Sequence, residues 1–185
     1  MSLTNSLATL SVGQACGIPS SQVFAPWGDN SFYSLVEGGG FESGAKGWSL
    51  AGGAKVVRDD DDGIASDGLG DAYALELGAG ASATSPAICV GTDSAFYRLF
   101  ANAVSTKNSA NLRVEVLFAG TVVKSDDLTS PTGASVPTAK LAFVPAALDT
   151  LLAKLNLTST VNIRVSSLNG ATVRVDDVHM DPRMH

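Results

Sequence analysis

The sequence predicts an all-β fold, an antiparallel β-sandwich with one short helix in a late loop. Three observations lead there. Apolar residues fill 45% of 185 positions but aromatics only 6%, and 19 glycines with seven prolines interrupt them. That balance favours short strands joined by many turns over a helical bundle. Strict alternation recurs, as in Leu112, Val114 and Val116 against Arg113 and Glu115, or Val161, Ile163 and Val165 against Asn162, Arg164 and Ser166. Turn dipeptides fall directly after such runs: Ala119-Gly120 leads into Thr121-Val122-Val123, and Asn169-Gly170 reads as a strong hairpin turn into the last strand.

The length suits one domain with a long N-terminal arm. Residues 1–34 are irregular, with Pro19, Pro26 and the Gly28-Asp29-Asn30 turn marking an extended segment. Phe24, Trp27, Phe32 and Tyr33 need cover, so the arm is expected to lie against a body spanning 35–185. That body opens with Leu35-Val36 and a glycine-rich turn, Gly38-Gly39-Gly40, whose residues permit positive φ or close backbone approach. Lys55–Arg58 reads as a short strand. The acidic run Asp59–Asp62 before Gly63 fails as an EF-hand loop, since Arg58 and Leu69 occupy the first and last ligand positions. It reads as a solvated loop.

Tyr73, Leu75 and Leu77 alternate with Ala72, Ala74 and Glu76 as a half-buried strand, and Pro86–Val90 gives another. Phe96–Phe100 is apolar on both parities, as a central strand is. Leu112–Phe118 turns at Ala119-Gly120 into Thr121-Val122-Val123, and Leu141–Val144 follows. Pro145 suits a first helical position, and Leu148, Leu151, Leu152 and Leu155 share one helical face. Asn156-Leu157-Thr158 matches a glycosylation sequon, a cheap match with no weight here.

The last strand poses a problem of parity. Val173 and Val175 face one way, so Asp177 would point into the core and Val178 and Met180 out of it. An unpaired carboxylate in an apolar interior costs several kcal/mol. Either a bulge resets the register at Asp176-Asp177, or a cation meets an inward carboxylate.

Cys16 and Cys89 fit no metal-ligand spacing. One disulfide in an oxidising compartment and two buried free thiols are both open, the first favoured by the Ser/Thr/Gly-rich, acidic chain. Twelve basic residues are scattered singly in a chain of net charge −6. Nucleic acid and anionic membranes are therefore poor partners, and no apolar run is long enough to span a bilayer. Met1-Ser2-Leu3 is read as the start of a secreted or cell-surface protein whose leader has been removed. His179 and His185 are the only histidines, phosphate-binding loops are absent, and no paired-carboxylate cleft is evident. The expectation is a protein that is not an enzyme.

Gly39-Gly40-Phe41-Glu42-Ser43-Gly44, then Gly47-Trp48, with Val173-Arg174-Val175-Asp176-Asp177-Val178 at the other end, resembles the jelly-roll carbohydrate-binding modules of the galactose-binding-like superfamily. The resemblance covers residues 35–181 and leaves out the arm. It implies that first and last strands are neighbours with a structural calcium ion between them, held by Glu42 and by Asp176 or Asp177. It also implies a glycan, polysaccharide or cell-wall, on one sheet face. Polar side chains at outward positions, Arg113, Glu115, Asn162 and Arg164, together with Tyr97, are the candidate ligand-binding set; Ser166 and Arg174 share that outward parity. An extracellular structural or protein-interaction module is the alternative.

Overall fold

A computed structural model describes residues 11–12, 19–59, 71–90, 96–105, 110–133, 135–142 and 157–181. Its strands are β1 (Ser11–Val12), β2 (Ser34–Leu35), β3 (Ser49–Ala51), β4 (Lys55–Arg58), β5 (Tyr73–Leu77), β6 (Ser82–Thr84) and β7 (Ile88–Val90), followed by β8 (Phe96–Ser105), β9 (Leu112–Phe118), β10 (Thr121–Leu128), β11 (Val136–Pro137), β12 (Leu141–Ala142), β13 (Leu157–Ser167) and β14 (Thr172–Met180). The one helical segment among the described residues is a 3₁₀ turn, Ala25–Trp27. The expected helix after Pro145, the acidic loop from residue 60 onward and Cys16 lie outside the described residues.

Two antiparallel sheets face each other. The first runs β10-β9-β13-β6-β3, with β1 and β7 also on β13; the second runs β11-β8-β14-β5-β4, with β12 on β8 and β2 on β14. Alternation explains the filling. Leu112, Val114 and Val116 of β9 and Val161, Ile163 and Val165 of β13 meet Leu75, Leu77, Leu99, Val173 and Val175 of the other sheet, all buried in one core. Trp48 closes one end of that core and donates its indole N–H to the Glu37 carbonyl at 3.0 Å.

The Asp176-Asp177 problem is solved by a bulge. The register of β14 on β8 shifts between Asp176 and His179, and Asp177 takes φ +47°. Val175, Val178 and Met180 all face the core in consequence. The bulge seats the glycine turn: the Val36 N–H donates to the Val178 carbonyl at 2.8 Å, and the Val178 N–H to Gly39 at 3.0 Å. A Cβ on Gly39 would lie 3.0 Å from the Val36 oxygen and 3.1 Å from the Val178 oxygen, so a larger residue would have to push these carbonyls aside.

Residues 21–33 are not simply extended. Ser21 and Tyr33 exchange backbone hydrogen bonds at 2.9 and 2.8 Å, closing a loop over the outer face of the second sheet. Phe24 stacks on Phe100 with centroids 5.5 Å apart, Trp27 meets Phe100 edge-on at 5.2 Å, and Phe24 meets His179 at 5.5 Å. This cover is why β8 is apolar on both parities.

Candidate functional site

Tyr97, expected among the ligand-binding residues, is wholly buried and faces the core. Its hydroxyl donates to Asp126 Oδ2 at 3.0 Å, and Asp126 is itself paired with Lys124. Parity could not separate the faces of β8, because the arm hides the outer one. Arg113, Glu115, Asn162 and Arg164 do point outward, on the first sheet, where they are engaged with neighbours. Arg113 grips Asp127 through two bonds of 2.7 and 2.8 Å, Arg164 Nε donates to Glu115 at 2.7 Å, and Asn162 Nδ2 donates to the Ser85 carbonyl at 2.9 Å.

The outer face of the second sheet is different. Strand pairing places Lys55, Glu76, Arg174 and Asn102 in one row across β4, β5, β14 and β8. Lys55 Nζ lies 3.2 Å from Glu76 Oε1, Arg174 Nε 3.5 Å from Glu76 Oε2, and Arg174 Nη1 donates to Asp59 Oδ1 at 2.9 Å. At the Arg174–Asn102 end of this row opens a groove of about 540 Å³, lined by Arg58, Asp59, Asn102, Arg174, Thr132 and Gly133, with Ala103 and Val104 beside them. No aromatic ring is among these lining residues. Such a lining makes directional hydrogen bonds with charged and amide groups and offers no stacking platform.

The arm borders the same face two residues along β8. Asp29 is its fastening: the Tyr33 hydroxyl donates to Oδ2 at 2.6 Å, Arg98 Nη1 to Oδ2 at 2.9 Å, and the Ser31 N–H to Oδ1 at 3.1 Å; Lys140 Nζ sits 2.9 Å from Oδ1. Burial opposes the Asp29 charge, but the hydrogen bonds from Tyr33, Lys140 and Ser31 hold its carboxyl far below the usual carboxylate range. Arg98 also lies 4.4 Å over the Phe24 ring.

The acidic seam at the bulge is brought together only in part. Asp176 and Asp177 are both buried, and Asp71 hydrogen-bonds Asp176. Burial, then the charges of Asp177 and Asp71, push the Asp176 carboxyl up to about 10. Glu42 clasps the same segment differently. Its Oε1 accepts from the N–H groups of Ala72 and Tyr73, both at 2.9 Å. Among the described residues no three His, Cys, Asp or Glu side chains converge as a metal cage.

Sequence reasoning placed Arg174 outward but missed Asp59, Asn102 and Thr132 as its company. The one local signal was Asn102, a lone amide inside the apolar run Phe100–Ala103.

The sequence matches no family model and no curated protein. Solved structures share the sandwich. The apo cyclase from Fischerella sp. is 16% identical, with a TM-score of 0.51 over 80% of this chain and 95% of that one. The TmCBM61 module in complex with β-1,4-galactotriose is 17% identical, with a TM-score of 0.44 over 79% of this chain and 96% of that one. A tandem CBM22 domain from Paenibacillus barcinonensis is 14% identical, with a TM-score of 0.46 over 77% of this chain and 42% of that one. At 16% identity the likeness to the cyclase is one of fold.

Proposed function

We propose that this chain is a non-catalytic binding module for carbohydrate, with the sugar held in the groove over Arg174. The observation that carries the reading is the lining: guanidinium, carboxylate, amide and hydroxyl groups gathered in about 540 Å³ on one sheet face. Concave sites of this size suit small ligands fixed by a few placed polar groups. Fold does not decide the matter, since cyclases and sugar-binding modules share it. The first-sheet face, with Arg113 paired to Asp127 and Arg164 to Glu115, is the other candidate.

The test is retention on a panel of insoluble plant, fungal and bacterial polysaccharides, comparing the wild type with Arg174→Ala and with Arg113→Ala. Binding that is lost at Arg174 and kept at Arg113 is expected. Loss at Arg113 instead would move the site to the first sheet. Clean failure across the panel would favour the alternative, an extracellular structural or protein-interaction module.

A structural calcium ion at the seam is part of the same proposal. Asp176 and Asp177 supply buried hard oxygens crowded with Asp71, the donor chemistry that calcium takes. Glu42 has given Oε1 to two backbone N–H groups, so it would contribute through its other oxygen, with carbonyls completing the shell. The ion would supply charge balance at a strand junction and no reaction.

A Cys16–Cys89 disulfide and a secreted or cell-surface location complete the reading. Among the described residues, β1 and Cys89 both pair with β13, Ser11 opposite Thr158 and Cys89 opposite Thr160. No described cysteine is a free thiol. Titration of the unfolded chain without reductant checks this; two reactive thiols would overturn it.

A further inference from the structure

Asn169-Gly170 is the one Asn-Gly dipeptide in the chain, and it sits exposed between β13 and β14. Glycine carries no Cβ to hinder its own nitrogen, so this pair is the most open of all to attack of that nitrogen on the asparagine side chain. The local structure opposes the attack in two independent ways. Asn169 and Gly170 have φ +55° and +71°, and the Ala171 N–H closes the turn on the Leu168 carbonyl at 2.9 Å. This is a type I′ turn, whose first central residue has ψ of about +30°. At that ψ the Cα–Cβ bond of Asn169 stands nearly anti to the Gly170 nitrogen across the Cα–C bond. Closing a five-membered ring needs the two nearly eclipsed. The amide is also tethered, since Asn169 Nδ2 donates to the Ala110 carbonyl at 2.8 Å.

Opening of the chain removes both restraints. The Gly170 N–H then yields its proton to base, the nitrogen bonds to Asn169 Cγ, and Nδ2 departs with a proton as ammonia. Water opens the succinimide at the N–Cγ bond to give aspartate, or at the N–C bond to give isoaspartate. One water enters, one ammonia leaves, and nothing is oxidised or reduced. Neither product suits the turn. Aspartate sets a carboxylate oxygen against the Ala110 carbonyl, where a donor stood. Isoaspartate adds a methylene to the backbone of a tight link between the two sheets, directly before the buried Ala171. We propose that Asn169-Gly170 is a deamidation site held silent by the fold, and that its conversion in the opened chain weakens the link when the chain closes again.

The experiment holds the full chain in mildly alkaline buffer, folded in one sample and unfolded by guanidinium chloride in the other. Mass spectrometry of the tryptic peptide that follows Arg164 reads conversion at residue 169. Conversion at least tenfold slower in the folded sample is expected; equal rates would overturn the silencing. The aged, unfolded chain is then returned to native buffer and its denaturant midpoint measured. A midpoint below that of fresh chain is expected, and an unchanged one would overturn the weakening. Asn169→Gly keeps a dipeptide suited to the turn and has no amide to lose. Taken through the same treatment, it should recover its own fresh midpoint. A loss as large as that of the wild type would place the damage elsewhere and overturn the assignment to this site.

Discussion

At Asp29 one carboxylate gathers donors from the arm, from β8 and from the segment before β12, and the arm's position depends on it. Asp29 and Arg98 are each less than a tenth exposed. Breaking a buried pair by removing one partner strands the other charge and costs about 3–5 kcal/mol. Asp29→Asn should lower stability by about that amount and shift Trp27 emission to the red as the arm loosens. The pH dependence has a definite sign. A carboxyl depressed in the folded state stabilises fully above its unfolded value, about 3.9, and loses that contribution as pH falls towards its folded value. The stability gap between wild type and Asp29→Asn should be flat above about pH 5 and close progressively below about pH 4. Denaturant titrations at several pH values check this; a gap that widens on acidification would show that Asp29 is not held as a carboxylate.

Among the elements, two turns show what sequence could and could not yield. Ala119-Gly120 and Asn169-Gly170 both adopt positive φ at both positions, +48° and +79° in one, +55° and +71° in the other. Both were legible as tight turns, because few residue pairs tolerate that backbone. The first is a hairpin, with Thr121 paired to Phe118. The second, expected as a hairpin, is instead a corner: β13 lies in the first sheet and β14 in the second, and the two do not pair. β13 already has β9 on one side and β6 and β7 among its other partners, so β14 finds its pairing on β8 and β5 instead. A dipeptide fixes local dihedrals and says nothing of which edge is free. The same gap explains the site. Arg174 was legible as outward from the alternation of its own strand, whereas Asn102 and Asp59 join it through pairings between distant parts of the chain. Tyr97 was misread for a related reason, since cover by the arm erased the polar signature of the outer face of β8. The Asp176-Asp177 bulge was legible as one of two alternatives, because the parity of the strand would otherwise have turned Val178 and Met180 out of the core.

For the whole molecule, the seam between the glycine turn and β14 joins the start of the body to its end, so its charge balance bears on closure of the sandwich. The core there is apolar and well filled, with Val36, Phe41, Val178 and Met180 buried together. The carboxyls of Asp71, Asp176 and Asp177 sit against that filling and raise the cost of closure by their mutual repulsion. Either a proton on Asp176 or a divalent cation relieves it. These alternatives separate cleanly in thermal unfolding. A ligand bound only by the folded chain at 100 times its Kd adds about 2.7 kcal/mol. For a chain of this size each kcal/mol moves Tm by about 2–4 °C. Calcium in excess over a chelator-treated sample should therefore raise Tm by about 5–10 °C, and Asp176→Asn should abolish that rise. A chelator-insensitive wild type, together with an Asp176→Asn variant that melts higher, would mean that a proton balances the seam and that no ion is held there. Magnesium provides the control, since its demand for close, near-octahedral ligands is poorly met where carbonyls must complete the shell, and its effect should be the smaller.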